Sequence, residues 1–223
     1  MFSLRKTLPA VVVFAFCAAF AALAQAPSVS ADEALQRLID GNKRFIDGKT
    51  SHPRQDPATI RDLAKGQRPF AIIVGCSDSR VPNEIIFDQG LGDLFIVRTA
   101  GQVSAQASFG SIEFADRVLG ARLIVVLGHT ACGAVAAAVN NPEVPGHIVH
   151  LINEIKPAAK KTKGQLGDHV TNAIYENVRM QVERLRELEP VLAKDVREGK
   201  IKVVGAVYNL NDGKVEFLPE TLK

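Results

Sequence analysis

Two apolar runs of strand length, each stopping at a side chain able to bind metal, constrain this chain more than any other feature. The first, Phe70-Ala-Ile-Ile-Val-Gly75, ends at Cys76 and continues into Ser77-Asp78-Ser79-Arg80. The second, Leu123 to Leu127, leads into Gly128-His129-Thr130-Ala131-Cys132-Gly133. Neither run alternates polar with apolar residues, so both read as strands buried on two faces, the pattern of a parallel sheet covered by helices. In such sheets ligands gather at the carboxyl ends of the strands. Neighbouring strands would then deliver Cys76, His129 and Cys132 to one edge as three soft or borderline donors. That set suits Zn²⁺ with its fourth position open.

The rest of the chain supports this architecture. Ser30-Ala-Asp-Glu33 has the capping-box pattern, with Ser30 accepting from an early amide and Glu33 reaching back. Ala34, Leu35, Leu38, Ile39 and Phe45 follow helical spacing, predicting a helix over Ala31 to Asp47. Further helices are expected over Asp56 to Lys65, Gln102 to Leu119, Cys132 to Asn140 and His169 to Glu187, with a short helix or turn over Val81 to Asp88. Further strands are expected over Leu94 to Arg98 and Ile201 to Leu210, and Asn211-Asp212-Gly213 predicts a tight turn into a hairpin partner, Val215 to Leu218. The reading is an α/β fold: a mostly parallel four-stranded sheet with an antiparallel edge strand, helices on both faces, and an N-terminal helical arm that packs on a second subunit.

Ahead of this domain, Arg5 and Lys6 precede an apolar run from Leu8 to Leu23 and the small-x-small sites Ala22-Leu-Ala24 and Ala24-Gln-Ala26. That pattern predicts a secretory signal peptide over residues 1–26, with a membrane anchor as the competing reading for a run somewhat short of the ~20 residues that span a bilayer. Removal of the peptide implies a periplasmic or secreted protein with no stable membrane insertion after cleavage. The remaining 27–223 make one domain of ordinary size, roughly 200 residues. Losing Arg5 and Lys6 takes the formal charge from +3 to +1, since no acidic residue precedes Asp32, and gives no reason to expect nucleic acid as a partner. Cys76 and Cys132 alone survive in the mature chain, and in an oxidising compartment a disulfide between them competes with metal binding.

Cys76-x-Asp78-x-Arg80 places two charges just after a buried strand, where they must be paired or exposed. Arg80 offers Asp78 a planar fork that matches a carboxylate. So held, Asp78 would accept a hydrogen bond from zinc hydroxide and aim its lone pair. Alternatively Asp78 swings onto the metal as a fourth ligand and shuts the site.

Taken together, Cys76-Ser-Asp78-Ser-Arg80, His129-x-x-Cys132-Gly133, the segment Asp88 to Gly101 and Gly110-Ser-Ile-Glu-Phe114 resemble the β-class carbonic anhydrase family over about Ser30 to Leu218. The resemblance implies one Zn²⁺ per subunit on Cys76, His129 and Cys132, an Asp78–Arg80 dyad, and reversible hydration of carbon dioxide to bicarbonate through attack by zinc-bound hydroxide. It also implies a homodimer or homotetramer exchanging N-terminal helices. In the plant-like branch a Gln and two aromatics line the substrate pocket; Gln67, Phe95 and Phe114 match, with Phe114 standing where Tyr is usual. A backbone N–H at Gly133 is expected to help hold bicarbonate. The allosteric bicarbonate-binding branch has a Trp three residues before its first zinc Cys, where this chain has Ile73 and no Trp at all, so that pocket is not expected. Other readings stand beside it: a hydrolase of carbonyl sulfide or carbon disulfide at the same zinc, a zinc-stapled non-catalytic domain, or a thiol redox protein. Phe95 and Phe114 also fit plain packing, while Lys160-Lys161-x-Lys163 reads as a solvated loop and His52, His147, His150 and His169 as solvated side chains.

Overall fold

The computed structural model describes residues 29–140 and 143–222; the leader expected over residues 1–26 lies outside them. Among the described residues no helix is long and apolar enough to cross a membrane. Helix α1, Ala31–Ile46, starts where expected: the Ser30 hydroxyl accepts from the Glu33 amide at 3.1 Å. Glu33 does not reach back; its carboxylate takes Arg37 one turn on, at 2.7 Å. Ala34 and Leu38 are buried in the core of their own chain. The buried amide of Asn42 fixes the helix there, donating to Ile86 O and Gly213 O and accepting from Val215 N. One face of the helix thus packs on its own chain, while Ile39 and Ile46 stay exposed.

After α2, Pro57–Leu63, come strand β1, Ala71–Cys76, the one-turn helix α3, Asn83–Ile86, and β2, Leu94–Thr99. Helix α4, Gln106–Arg117, precedes β3, Leu123–His129, and α5, Gly133–Asn140. Three helices follow, α6 (Ile148–Lys161), α7 (His169–Arg186) and α8 (Leu192–Arg197), then β4, Lys202–Tyr208, and β5, Val215–Phe217. The sheet runs β2-β1-β3-β4-β5, with β4 and β5 antiparallel and every other pair parallel. This is the expected four-stranded parallel core with its antiparallel edge.

Alternation along β1 and β3 divides the interior into two cores. Ile72, Val74 and Cys76 join Ile124 and Val126 beneath α4 to α7. Ala71 and Ile73 join Val125 and Leu127 on the other face, beneath α1 and α3.

Two helices go beyond the sequence reading. In α6, Ile152, Ile155, Ala158 and Ala159 are buried at helical spacing, although Pro157 lies inside the helix and lysines crowd its end. Lys160 and Lys161 are therefore the last turn of a helix rather than a loop, and Lys161 pairs with the largely buried Glu176 at 2.6 Å. The one-and-a-half turns of α8 are too short to carry a periodic signal.

Candidate active site

Strand register builds the centre. Cys76 pairs in line with Thr99 of β2, and Gly75 with Leu127 of β3, so Cys76 and His129 finish adjacent strands almost level. After His129 the chain turns sharply through Ala131, whose φ of 53° lies in the left-handed region that costs a non-glycine residue about 1–2 kcal/mol. The turn brings Cys132 back beside His129. Thr130 pins it to the end of the sheet: its N–H donates to Tyr208 O at 2.9 Å, and its hydroxyl accepts from Leu210 N at 3.0 Å.

The donor atoms of Cys76, His129 and Cys132 lie within 4.8 Å of one another, and all three side chains are buried. Both cysteines are free, which sets the disulfide aside. His129 Nδ1 is 2.9 Å from Thr130 O, which fixes Nδ1 as the protonated nitrogen and Nε2 as the lone-pair nitrogen of the neutral ring. Nε2 is itself buried without a hydrogen-bond partner. A buried nitrogen left unpaired beside two thiols is costly unless something electropositive sits among them. The arrangement fits a tetrahedral zinc with three protein ligands, the open form typical of catalytic sites.

Protons are shared unevenly within the cluster. The Cys76 thiol is pushed down to about 4, chiefly by hydrogen bonding from Cys132 and, against its burial, by His129 and the amides of Gly101 and Asp78. Cys132 moves the opposite way as the donor of that bond, with burial adding to the shift. Burial pushes the His129 imidazole down, but contact with Cys76 outweighs it and the net shift is upward. A divalent cation held by Cys76, His129 and Cys132 would take the place of these shared protons, with both sulfurs as thiolates. Amides of Ala134 and Val135, at the start of α5, also point to the Cys132 sulfur.

Asp78 and Arg80 form the fork expected of them. Arg80 Nε donates to Oδ1 at 2.9 Å and Nη2 to Oδ2 at 2.7 Å, while the Arg80 amide donates to Oδ1 at 2.9 Å. These bonds hold the Asp78 carboxyl well below the usual carboxylate range. Oδ2 stands 3.7 Å from His129 Nε2, so the carboxylate borders the cluster while Arg80 retains it.

Sequence reasoning did not single out Arg98. It is the penultimate residue of β2, and its guanidinium donates to Cys76 O at 2.8 Å and Asp78 O at 2.6 Å, clamping the backbone that follows β1. The only sequence signal was a charge ending an apolar strand.

Gly133 lies exposed at the start of α5, next in sequence to Cys132. The pocket residues Gln67, Phe95 and Phe114 are not gathered with it within one chain. Gln67 is exposed beyond the start of β1 and lines an open cavity of about 490 Å³; roughly 17 Å of strand, at 3.3 Å per residue, separates that end from Cys76. Phe95 pairs in line with Ile72, four residues short of Thr99, and packs against the core. Phe114 is 46 % exposed on α4. Among the histidines read as solvated, His169 is not free: Nε2 lies 2.8 Å from Ala159 O.

Comparison with known proteins agrees with this geometry. The family model described as carbonic anhydrase matches residues 71–215. Carbonic anhydrase 2 of Mycobacterium tuberculosis is 41% identical over 192 residues, spanning 84% of this chain and 93% of the relative. The carbonic anhydrase of Mycolicibacterium smegmatis is 41% identical over 195 residues, 86% of this chain and 95% of its own. Among solved structures, the β-carbonic anhydrase CafA of Aspergillus fumigatus superposes with a TM-score of 0.68 at 28% identity, covering 83% of this chain and 90% of that one. From the sheet order to the Cys76–His129–Cys132 centre, this chain belongs to the β-class carbonic anhydrase family.

Proposed function

We propose that the chain catalyses reversible hydration of carbon dioxide to bicarbonate and a proton, with zinc held by Cys76, His129 and Cys132. The observation that carries this reading is the buried, unpartnered Nε2 of His129 facing two free thiols beside a carboxylate that Arg80 keeps off them. Zinc held there would supply the acidity that makes water a nucleophile near neutral pH. Asp78 is charged at that pH and stands at the edge of the cluster, so it accepts a hydrogen bond from the attacking water and aims its lone pair at the carbon. Arg80 keeps the carboxylate ionised and aimed, and Arg98 holds the backbone that carries it. Gly133, exposed beside Cys132, supplies an amide to the bicarbonate oxygen.

Gln67, Phe95 and Phe114 complete the substrate pocket only across an interface between copies, since one chain does not bring them to the cluster. The half-buried apolar edge strand β2 supports a homodimer or homotetramer. Export with cleavage of the leader after Ala24 or Ala26 rests on the sequence alone. The dyad also weighs against the zinc-stapled reading, because a carboxylate engaged by three N–H groups is not free to act as a fourth ligand.

The test compares the parent with Cys132→Ser for zinc per subunit and for hydration of carbon dioxide, with carbonyl sulfide and carbon disulfide as rival substrates. Zinc-dependent hydration lost in the variant supports the reading. Faster turnover of either sulfur compound, or bound zinc with no turnover of any substrate, would replace it.

A further inference from the structure

The Cys76 sulfur has a neighbour besides His129 and Cys132. Parallel register sets Thr99 beside Cys76, and the chain then leaves β2 through a tight turn over Ala100–Gln102. At its centre Gly101 adopts φ 70°, ψ 22°, and its N–H donates to Cys76 Sγ at 3.3 Å. A side chain here would be strained in that conformation, and its Cβ would meet Ile155 Cδ1 at 2.6 Å. The residue that aims this amide is thus the one with the least conformational restraint of its own.

The restraint comes from α7. Asn177, 1% exposed, donates from Nδ2 to Gly101 O at 3.0 Å, across 76 residues of sequence. The two hydrogen bonds lie on the two peptide units that flank the Gly101 Cα, so holding the second restrains the turn that carries the first. Burying an amide side chain costs free energy unless it is paired, and here its donor is spent on this turn.

We propose that Asn177 is a positioning residue of the metal centre, locking the Gly101 turn so that its amide donates to the Cys76 thiolate. This rests on the reading of Cys76, His129 and Cys132 as a zinc site. An N–H donated to a coordinating thiolate draws charge from the sulfur, which leaves the metal the stronger Lewis acid. Two thiolates otherwise go far towards neutralising a divalent ion, so this donor matters more here than in an all-histidine site.

The experiment compares the full-length parent with Asn177→Leu, which keeps bulk and removes the donor, and Asn177→Asp, which turns an oxygen towards the Gly101 carbonyl. Asn177→Asp serves if the leucine variant does not fold. Val182→Ala, a buried truncation elsewhere on α7, controls for loss of packing alone. Zinc affinity is measured by competition with a chelating dye, the thiolate-to-metal charge-transfer band is recorded on Co²⁺-substituted protein, and the pH midpoint of hydration is taken from the zinc form. Folded Asn177 variants should bind zinc about 10–100-fold more weakly, shift the charge-transfer band and move the pH midpoint upward, while Val182→Ala leaves all three in place. Asn177 variants matching the parent in all three, or Val182→Ala moving them equally, would overturn the proposal alone. A parent that takes up neither zinc nor Co²⁺ would overturn the zinc reading and the proposal with it.

Discussion

Asp78 works because of what holds it. Three N–H groups on one carboxylate, two of them from a guanidinium, keep it ionised throughout the neutral range. Activity changing near neutrality therefore reports the metal centre and not Asp78. Asp78→Asn keeps the shape, loses the charge and leaves the three ligands alone; we expect kcat/KM to fall about 10–100-fold with zinc content unchanged, checked by stopped-flow hydration and atomic absorption. Loss of zinc in that variant would make Asp78 a ligand instead. Arg98 is the second residue that shapes this loop, since its charged fork donates to the carbonyls of both Cys76 and Asp78. Arg98→Met should lower stability by at least about 2 kcal/mol in urea melts, and lower zinc affinity with it.

Between elements, the clearest electrostatic feature lies away from the centre, where α4 meets α8. Asp116 and Asp195 are both fully buried, with Arg122 2.8 Å from Asp116, and Arg117 2.9 Å and Lys200 3.8 Å from Asp195. Burial, and then the neighbouring Asp195, push the Asp116 carboxyl up to about 7. Asp195 moves downward, because the bonds from Arg117 and Asp116 together outweigh its own burial. A carboxyl whose value rises on folding gives stability that is complete below the unfolded value of about 3.9 and is lost as pH rises through the folded one. Between about pH 4 and about pH 7 the parent should therefore lose stability relative to Asp116→Asn, as read from urea midpoints. Parallel profiles for the two proteins would contradict this assignment.

The same scale shows what the sequence could disclose. Cys76, His129 and Cys132 were legible because each follows an uninterrupted apolar run, and strand ends are where a parallel sheet exposes chemistry. Helix α6 was masked by Pro157 and its lysines, though Ile152, Ile155 and Ala159 hold the period. The Arg98 clamp depends on β1–β2 register, and the Asn177–Gly101 bond spans distant segments, so neither leaves a local pattern. Gln67, Phe95 and Phe114 were found by resemblance, and their separation from the cluster emerges only when the chain is folded.

As a whole molecule, one chain brings Cys76, His129 and Cys132 together and leaves Gln67, Phe95 and Phe114 apart from them. Its β2 edge is apolar and half-buried, and Phe114 projects from α4. We expect sedimentation to find a dimer or tetramer at working concentration, and dilution to monomer to reduce hydration activity; a fully active monomer would remove Gln67, Phe95 and Phe114 from the account. The most direct measurement is stopped-flow hydration of carbon dioxide by the same preparation as purified, stripped of metal and reloaded with zinc, from about pH 6.5 to about pH 9. Activity that disappears on stripping, returns with zinc and rises towards alkaline pH is the predicted result. Turnover unaffected by stripping, or a zinc-loaded protein inert across the range, would contradict it.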